Sequence, residues 1–135
     1  MKWHKLKFRE QDSWGSGAFG ASRGDRKHNG VDLLCDAHTS INSSISGTVT
    51  KVGYPYADDL SYRYVQVSKG GYDYRIFYVS PSVNEGDVID VGDLIGMSQD
   101  LEKRYEGIPN HVHFEIKHGN DYINPTPVVL ALRDK

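Results

Sequence analysis

Short segments of β-branched and aromatic residues, separated by turn residues at regular intervals, constrain the fold of this chain most. Glycine-containing turn sequences recur along the chain: Asn29-Gly30, Ser46-Gly47, Gly53-Tyr54-Pro55, Gly70-Gly71, Glu85-Gly86-Asp87, Gly92-Asp93 and Gly119-Asn120. Turns at this spacing are typical of antiparallel β-sheet, because they join neighbouring strands through short loops. The sequence therefore predicts a mainly β fold, an antiparallel sheet with short loops and little helix.

The segments between these turns have the composition of β-strands. The predicted strands cover residues 31–34, 48–52, 62–68, 72–79, 88–91, 94–97 and 112–116. Short helices are compatible only with residues 100–105 and 127–133, since no long apolar period is present. With 135 residues, 38% of them hydrophobic, the chain can build one core and not two. We predict a single domain over residues 1–135, with a motif-bearing core at about 19–127.

Charge and hydropathy narrow the classes of partner. The net charge is −2 and the basic residues are scattered, so nothing favours phosphate binding and we predict no nucleic-acid partner. No apolar run is long enough to span a membrane, and residues 1–7 carry charges with no apolar stretch behind them, which predicts no secretory signal in this chain.

The single cysteine, Cys35, excludes an internal disulfide and is interpreted as a small buried apolar residue. We expect a monomer.

Two pairs of residues have the spacing of metal ligands. His28 and Asp32 are four residues apart, and His111 and His113 are two apart near the other end of the chain. Two imidazoles and a carboxylate supply three of the four positions around tetrahedral zinc, which is the ligand count of a catalytic site. Either pair alone is commonly a chance turn or a surface pair. Both together, in a chain with six histidines, favour a metal site.

The second pair lies in a predicted strand, where alternate side chains face opposite sides of the sheet. His111, His113 and Glu115 therefore share one face, and the apolar residues between and after them share the other. The apolar face is expected to pack inward and to hold the histidines over a groove. One of these histidines is predicted to be a ligand and the other an acid, a base or an oxyanion stabiliser. Spacing alone does not say which.

Several motifs, in order and spacing, resemble those of the lysostaphin-like (LytM-type) zinc endopeptidases. They are His28-Asn29-Gly30-Val31-Asp32, Gly47-Thr48-Val49, Gly86-Asp87-Val88, Gly92-Asp93-Leu94-Ile95-Gly96, His111-Val112-His113-Phe114-Glu115 and Asn124-Pro125. The resemblance implies an antiparallel β peptidase fold with a narrow groove and a Zn²⁺ cofactor. It also implies the zinc ligands His28, Asp32 and His113, with His111 as the catalytic imidazole. The implied activity is hydrolysis of peptide cross-links in bacterial peptidoglycan.

One segment departs from that family. A second catalytic histidine is expected within Tyr-x-His-Leu-Ser, and the matching stretch here reads Tyr78-Val79-Ser80-Pro81-Ser82. This alignment predicts that Ser80 stands at the position of the histidine, where its hydroxyl could donate one hydrogen bond but could not carry a positive charge. The same stretch resembles a branch of the family that includes leukocyte cell-derived chemotaxin. That branch lacks the second histidine, and its animal member is regarded as a signalling protein.

Two functional hypotheses follow. The first is a zinc endopeptidase that cleaves stem or cross-bridge peptides of peptidoglycan at the bacterial cell wall or in the periplasm. The small size of the chain and the predicted lack of a secretory signal suggest a phage lysin, a virion-associated wall hydrolase or a protein exported by another route. The alternative is a non-catalytic zinc-bearing module whose groove recognises a wall peptide or a protein partner.

Overall fold

Thirteen β-strands and one α-helix form the regular structure of the described residues, 7–10, 12, 15–23 and 26–133, in the computed structural model. The strands are β1 (Lys7–Phe8), β2 (Ser22–Arg23), β3 (Arg26–Lys27), β4 (Val31–Leu34), β5 (Ser40–Asn42), β6 (Gly47–Gly53), β7 (Tyr64–Lys69), β8 (Tyr72–Phe77), β9 (Val79–Pro81), β10 (Val88–Ile89), β11 (Leu94–Ser98), β12 (His111–His118) and β13 (Asp121–Ile123). The helix α1 spans Thr126–Arg133, and a single 3₁₀ turn spans Leu101–Lys103. The predicted mainly β fold with little helix is confirmed.

All strand pairs in the described part of the chain are antiparallel. Eight strands form one large sheet in the order β1-β4-β12-β8-β7-β6-β10, with β13 pairing with β12. A smaller sheet has the order β5-β11-β9, and β2 pairs with β3. Strands β4 and β12 are therefore neighbours although they are far apart in the sequence. This pairing brings the two predicted metal-binding motifs together.

The hairpin between β7 and β8 shows how turn residues set the register. Gly70 and Gly71 both have positive φ, 60° and 84°, as a two-residue type I′ turn requires. Residues without a side chain adopt this backbone at low cost. The tight turn pairs Lys69 with Tyr72 and fixes the register of both strands up to the groove.

The core lies between the large sheet and the smaller one. Val112, Phe114 and Ile116 of β12 are at most 2% exposed and pack in one cluster with apolar residues of both sheets. His111, His113 and Glu115 face the opposite side of β12, as alternation predicts, and they are buried too. One face of β12 thus anchors the strand, and the other carries its polar residues into the site.

The structure breaks the strand that was predicted over residues 72–79. Tyr78 has a φ of 70°, an unfavourable left-handed conformation for a bulky residue. Its N–H and that of Val79 both donate to the carbonyl of Arg63, at 2.8 and 3.1 Å. Because of this kink, β8 belongs to the large sheet and β9 to the smaller one, so the alternation of side chains restarts at residue 79. Sequence patterns also missed the short strands β1, β2, β3, β5 and β13, which have only two or three residues each.

Two further predictions concern the helices and Cys35. The helix predicted over residues 127–133 is present, whereas residues 100–105 form only a single 3₁₀ turn. Among the described residues, no helix has both the length and the apolar character needed to cross a membrane. Cys35 is partly buried against the core, and this burial raises the pKa of its thiol to about 11.

Candidate metal centre

Register between β4 and β12 places the central pair of the site. Asp32 lies directly opposite His113, so their side chains project from the same face of the sheet. His28 is in the turn before β4, and Gly30 lets this turn pass close to β12. A Cβ atom on Gly30 would lie only 2.2 Å from the carbonyl oxygen of Phe114. The glycine of the first motif is thus required for close packing, and not for a positive φ.

Three potential ligand atoms converge at this point. Nε2 of His28 lies 2.9 Å from Nδ1 of His113 and 3.2 Å from Oδ1 of Asp32, and the latter two atoms are 2.9 Å apart. For comparison, tetrahedral ligand atoms at zinc distances of about 2.0 to 2.1 Å lie about 3.3 Å from one another. The triangle is close to the size that zinc requires. Among the described residues, these three form a group that could hold a metal ion.

In both His28 and His113, the outer nitrogen, which is the one not directed at Asp32, is hydrogen-bonded to an acceptor. Nδ1 of His28 lies 3.0 Å from the carbonyl oxygen of Ala18, and Nε2 of His113 lies 2.8 Å from Oε1 of Glu115. A carbonyl and a carboxylate only accept, so these two nitrogens carry the protons. The inward nitrogens, Nε2 of His28 and Nδ1 of His113, are then the ones that can bind a metal ion beside Asp32. Three acceptors this close repel one another unless a cation or a proton lies among them, and the donor set therefore fits a metal ion.

The electrostatics of the three groups agree with this arrangement. Burial alone would raise the pKa of Asp32, but hydrogen bonds to His113 and His28 hold it well below its usual range. Burial alone would lower the pKa of His113, but hydrogen bonds to Asp32 and Glu115 raise it to about 9. The site therefore favours positive charge on the inward side of His113. A bound cation must displace that proton, since zinc ligands are deprotonated.

His111 lies beside this group with a different orientation. Its Nδ1 donates to the carbonyl oxygen of Pro109 at 2.9 Å, so its Nε2 carries the lone pair. That Nε2 is 3.5 Å from Oδ2 of Asp32, the oxygen that faces away from the other two histidines. Burial lowers the pKa of His111, so the ring is neutral at neutral pH. A neutral imidazole with an unprotonated Nε2 can accept a proton.

These residues line a groove with a volume of about 710 Å³, and tyrosines form part of its wall. The ring of Tyr78 stands edge-on to His111, with 5.8 Å between ring centroids. The hydroxyl of Tyr105 donates to that of Tyr56 at 2.8 Å, and the hydroxyls of Tyr56 and Tyr78 are 3.1 Å apart. Because Tyr56 accepts from Tyr105, it can donate its own proton to Tyr78. The hydroxyl of Tyr78 is then free to donate into the groove.

The structure does not bring Ser80 into this groove. Ser80 is exposed and lines a separate depression together with His38 and Met97. The kink at Tyr78 explains the difference, since it directs the Tyr78 side chain into the groove two positions earlier than the motif alignment predicts. His38, in a turn with a φ of 65°, is also outside the groove.

Sequence reasoning missed two kinds of residue at the site. Arg9 and Tyr78 line the groove, and neither belongs to a motif with metal-ligand spacing. Glu115 was placed on the face of the histidines but given no role, and it holds the outer nitrogen of His113. Strand alternation could have suggested this contact, because His113 and Glu115 are two residues apart on one strand. No comparable signal exists for Arg9.

This antiparallel fold is that of the lysostaphin-like peptidases. The catalytic domain of the antimicrobial peptidase lysostaphin from Staphylococcus simulans superposes with a TM-score of 0.70 at 20% identity, over 95% of each chain. In the solution structure of lysostaphin, by contrast, this chain covers 53% of the other chain. A zinc-containing peptidase from Vibrio cholerae superposes with a TM-score of 0.62 at 23% identity, over 86% of this chain and 35% of the other.

The sequence itself is similar to the same group. Residues 26–125 match peptidase family M23, and the chain belongs to that family. It is also 33% identical to leukocyte cell-derived chemotaxin-2 of Mus musculus over 105 residues, which cover 77% of this chain and 69% of the mouse protein. These matches confirm the resemblance to the LytM-type family and to its chemotaxin branch.

Proposed function

We propose that this protein binds one Zn²⁺ ion through His28, Asp32 and His113 and hydrolyses peptide cross-links of bacterial peptidoglycan. The observation that carries the proposal is the convergence of two imidazole lone pairs and one carboxylate oxygen within 3.2 Å, with both outer nitrogens held by acceptors. Such outer contacts fix the tautomer and orientation of metal-binding histidines. Membership of a peptidase family gives this site its chemistry, and the likeness to lysostaphin suggests the wall peptide as substrate.

The residues around the metal position have separate tasks. His28, Asp32 and His113 would hold the zinc ion, which would supply Lewis-acid polarisation of a carbonyl oxygen and a water activated at neutral pH. His111 is the proton acceptor, because its Nε2 is unprotonated and burial keeps the ring neutral. The carbonyl of Pro109 orients this ring through Nδ1. His111 later returns the proton to the leaving amine, as a general base becomes a general acid.

Tyr78 takes the part that the resemblance assigns to a second histidine. Burial raises the pKa of its phenol to about 12, so the hydroxyl stays protonated and can donate a hydrogen bond to an oxyanion. Unlike an imidazolium, the phenol cannot bring a positive charge to that position. We therefore propose a peptidase with a weaker oxyanion site than its two-histidine relatives. The proposed place of action is the bacterial cell wall or periplasm.

A second function is favoured by the same substitution. The groove holds His28, His111 and His113, and the residue that stands beside His111 is Tyr78 rather than a second catalytic histidine. This chain is 33% identical to the mouse member of the chemotaxin branch, and the resemblance to that branch implies a signalling role without the second catalytic histidine. A zinc-bearing module that recognises a wall peptide or a protein partner is therefore the alternative.

Incubation of the zinc-loaded protein with purified peptidoglycan separates these two functions. Release of new amino termini by the wild-type protein, but not by a His111→Ala variant with the same zinc content, supports the peptidase. Binding of the wild-type protein to insoluble peptidoglycan without new amino termini supports the binding module. If the fully zinc-loaded protein neither cleaves nor binds peptidoglycan, the peptidase and the wall-binding module are both rejected.

A further inference from the structure

A buried arginine outside the family match is bound to the proposed metal ligand Asp32. The NH1 group of Arg9 donates to Oδ2 of Asp32 at 2.8 Å, and both side chains are only 4% exposed. The family pattern begins at residue 26, so Arg9 comes from a segment that precedes the matched region. The positive charge of Arg9 is thus in direct contact with the carboxylate of Asp32, which the proposed metal site requires.

Strand pairing brings Arg9 to Asp32. Strand β1 pairs with β4 so that Phe8 lies opposite Leu33, and the next N–H, that of Arg9, donates to the carbonyl of Asp32 at 2.9 Å. Asp32 thus lies in a row across the sheet, between Arg9 on one side and His113 on the other. Because the row shares one face, the two neighbours contact the two carboxylate oxygens separately.

Other contacts hold the guanidinium in place. Nε and NH2 of Arg9 donate to the two carboxylate oxygens of Asp12, each at 2.9 Å. NH2 also contacts the carbonyl oxygen of Gly15 at 3.3 Å. Gly17 packs closely against both residues, since a Cβ atom there would lie 2.7 Å from Cβ of Arg9 and 3.0 Å from Cβ of Asp32. A planar fork held on one edge by Asp12 points its remaining nitrogen at Asp32 in one fixed direction.

The two oxygens of Asp32 therefore have different partners. Oδ1 faces His28 and His113, whereas Oδ2 is held by Arg9. A carboxylate with one oxygen held by a rigid donor presents only the other oxygen to a metal ion. We propose that Arg9 is a positioning residue that restricts Asp32 to metal binding through Oδ1 alone. This inference rests on the proposed zinc site, and it makes Arg9, together with Asp12 that holds it, part of that site.

Two effects of Arg9 on metal affinity oppose each other, and they can be separated. Its positive charge repels a divalent cation, so loss of charge alone would strengthen zinc binding. Its fork orients Asp32, so loss of the fork alone would weaken zinc binding, by the factor of about 10 to 100 that such supporting contacts typically contribute. Arg9→Lys keeps the charge without the planar fork, and Arg9→Met removes both.

The test measures zinc dissociation constants by chelator competition for the wild-type protein, Arg9→Lys, Arg9→Met and a control, Arg63→Met. Arg63 is a matched control because its guanidinium donates to the backbone carbonyls of Val52 and Gly53 and contacts no proposed ligand. We expect Arg9→Lys to bind zinc more weakly by about 10- to 100-fold, Arg9→Met to lose less affinity because it also loses the repulsive charge, and the control to bind as the wild type does. Wild-type affinity in Arg9→Lys would overturn the inference.

Cobalt provides a readout that a purely structural role would not change. Four-coordinate Co²⁺ absorbs visible light more strongly than Co²⁺ with additional ligands. In the Arg9 variants, Oδ2 of Asp32 is no longer held and can bind Co²⁺ as an additional ligand. The visible bands of these variants should therefore be weaker, while Arg63→Met keeps the wild-type spectrum. Identical spectra in all four proteins would contradict the role of Arg9. A wild-type protein that binds neither zinc nor cobalt would instead reject the proposed metal site.

Discussion

Nε2 of His113 lies 2.8 Å from Oε1 of Glu115, two residues along the same strand. This contact fixes the ring so that Nδ1 faces Asp32 and His28. The other carboxylate oxygen of Glu115 is buried without a hydrogen-bond partner and lies 3.8 Å from NH1 of Arg75. The hydrogen bond of Glu115 is therefore made to His113, and the negative charge of Glu115 increases the basicity of that imidazole.

The first prediction tests this contact. Glu115→Leu should weaken zinc binding by about 10- to 100-fold, because it removes the acceptor that fixes the tautomer of His113. Glu115→Gln should lose less affinity, since its amide oxygen can still accept from Nε2. Chelator competition measures both variants. Equal affinities for Glu115→Leu and the wild type would show that the strand alone orients His113.

The second prediction separates the two histidines of β12. His113→Ala should release zinc on dialysis, because Nδ1 of His113 is one of the three convergent atoms. His111→Ala should retain one equivalent of zinc and lose hydrolysis, because its Nε2 faces Oδ2 of Asp32 instead. Metal analysis after dialysis measures the difference. Zinc lost from the His111 variant and kept by the His113 variant would mean that the two roles are reversed.

Local periodicity explains what the sequence could predict. Alternation along one strand depends only on neighbouring residues, so it correctly placed His111, His113 and Glu115 on one face and Phe114 in the core. The spacing of His28 and Asp32 also identified two residues that the structure brings to His113. Residue types and short-range spacing were sufficient for these features.

The remaining features depend on contacts that no local pattern encodes. Arg9 reaches Asp32 across 23 positions of sequence, from a strand of two residues. Tyr78 enters the groove because a left-handed residue resets the alternation, and the hydrogen bonds that support this kink come from Arg63. A motif alignment that assumes a continuous strand therefore predicts Ser80 in the groove.

The third prediction concerns the close contact beneath the first motif. Gly30→Ala should destabilise the protein by about 1 to 3 kcal/mol, because the new methyl group would force the turn away from the Phe114 carbonyl. Urea unfolding measures the change, with Asn29→Ala, an exposed neighbour, as the control. Zinc affinity should fall as well, since the turn carries His28. Unchanged unfolding of Gly30→Ala would show that the turn and β12 can separate at little cost.

The fourth prediction concerns the tyrosine beside His111. Tyr78→Phe should lower the turnover of wall peptides by about 10²- to 10³-fold with unchanged zinc content, because it removes a hydrogen-bond donor to the oxyanion. Tyr78→His should raise turnover above that of the wild type, since an imidazole can also carry positive charge and transfer a proton. Ser80→His is the matched control, and we expect no gain from it because Ser80 lies outside the groove.

The pH dependence adds a further check on Tyr78. Because the pKa of its phenol is raised to about 12, the donor is present at neutral pH and is lost only as the pH rises toward that value. Wild-type turnover should therefore show no decline from Tyr78 below about pH 10.

Two outcomes of the variant test would contradict the role of Tyr78. Higher turnover in Ser80→His with no change in Tyr78→His would show that Ser80, and not Tyr78, lies at the position of the second histidine. No effect of Tyr78→Phe on an active wild-type enzyme would show that another group stabilises the oxyanion.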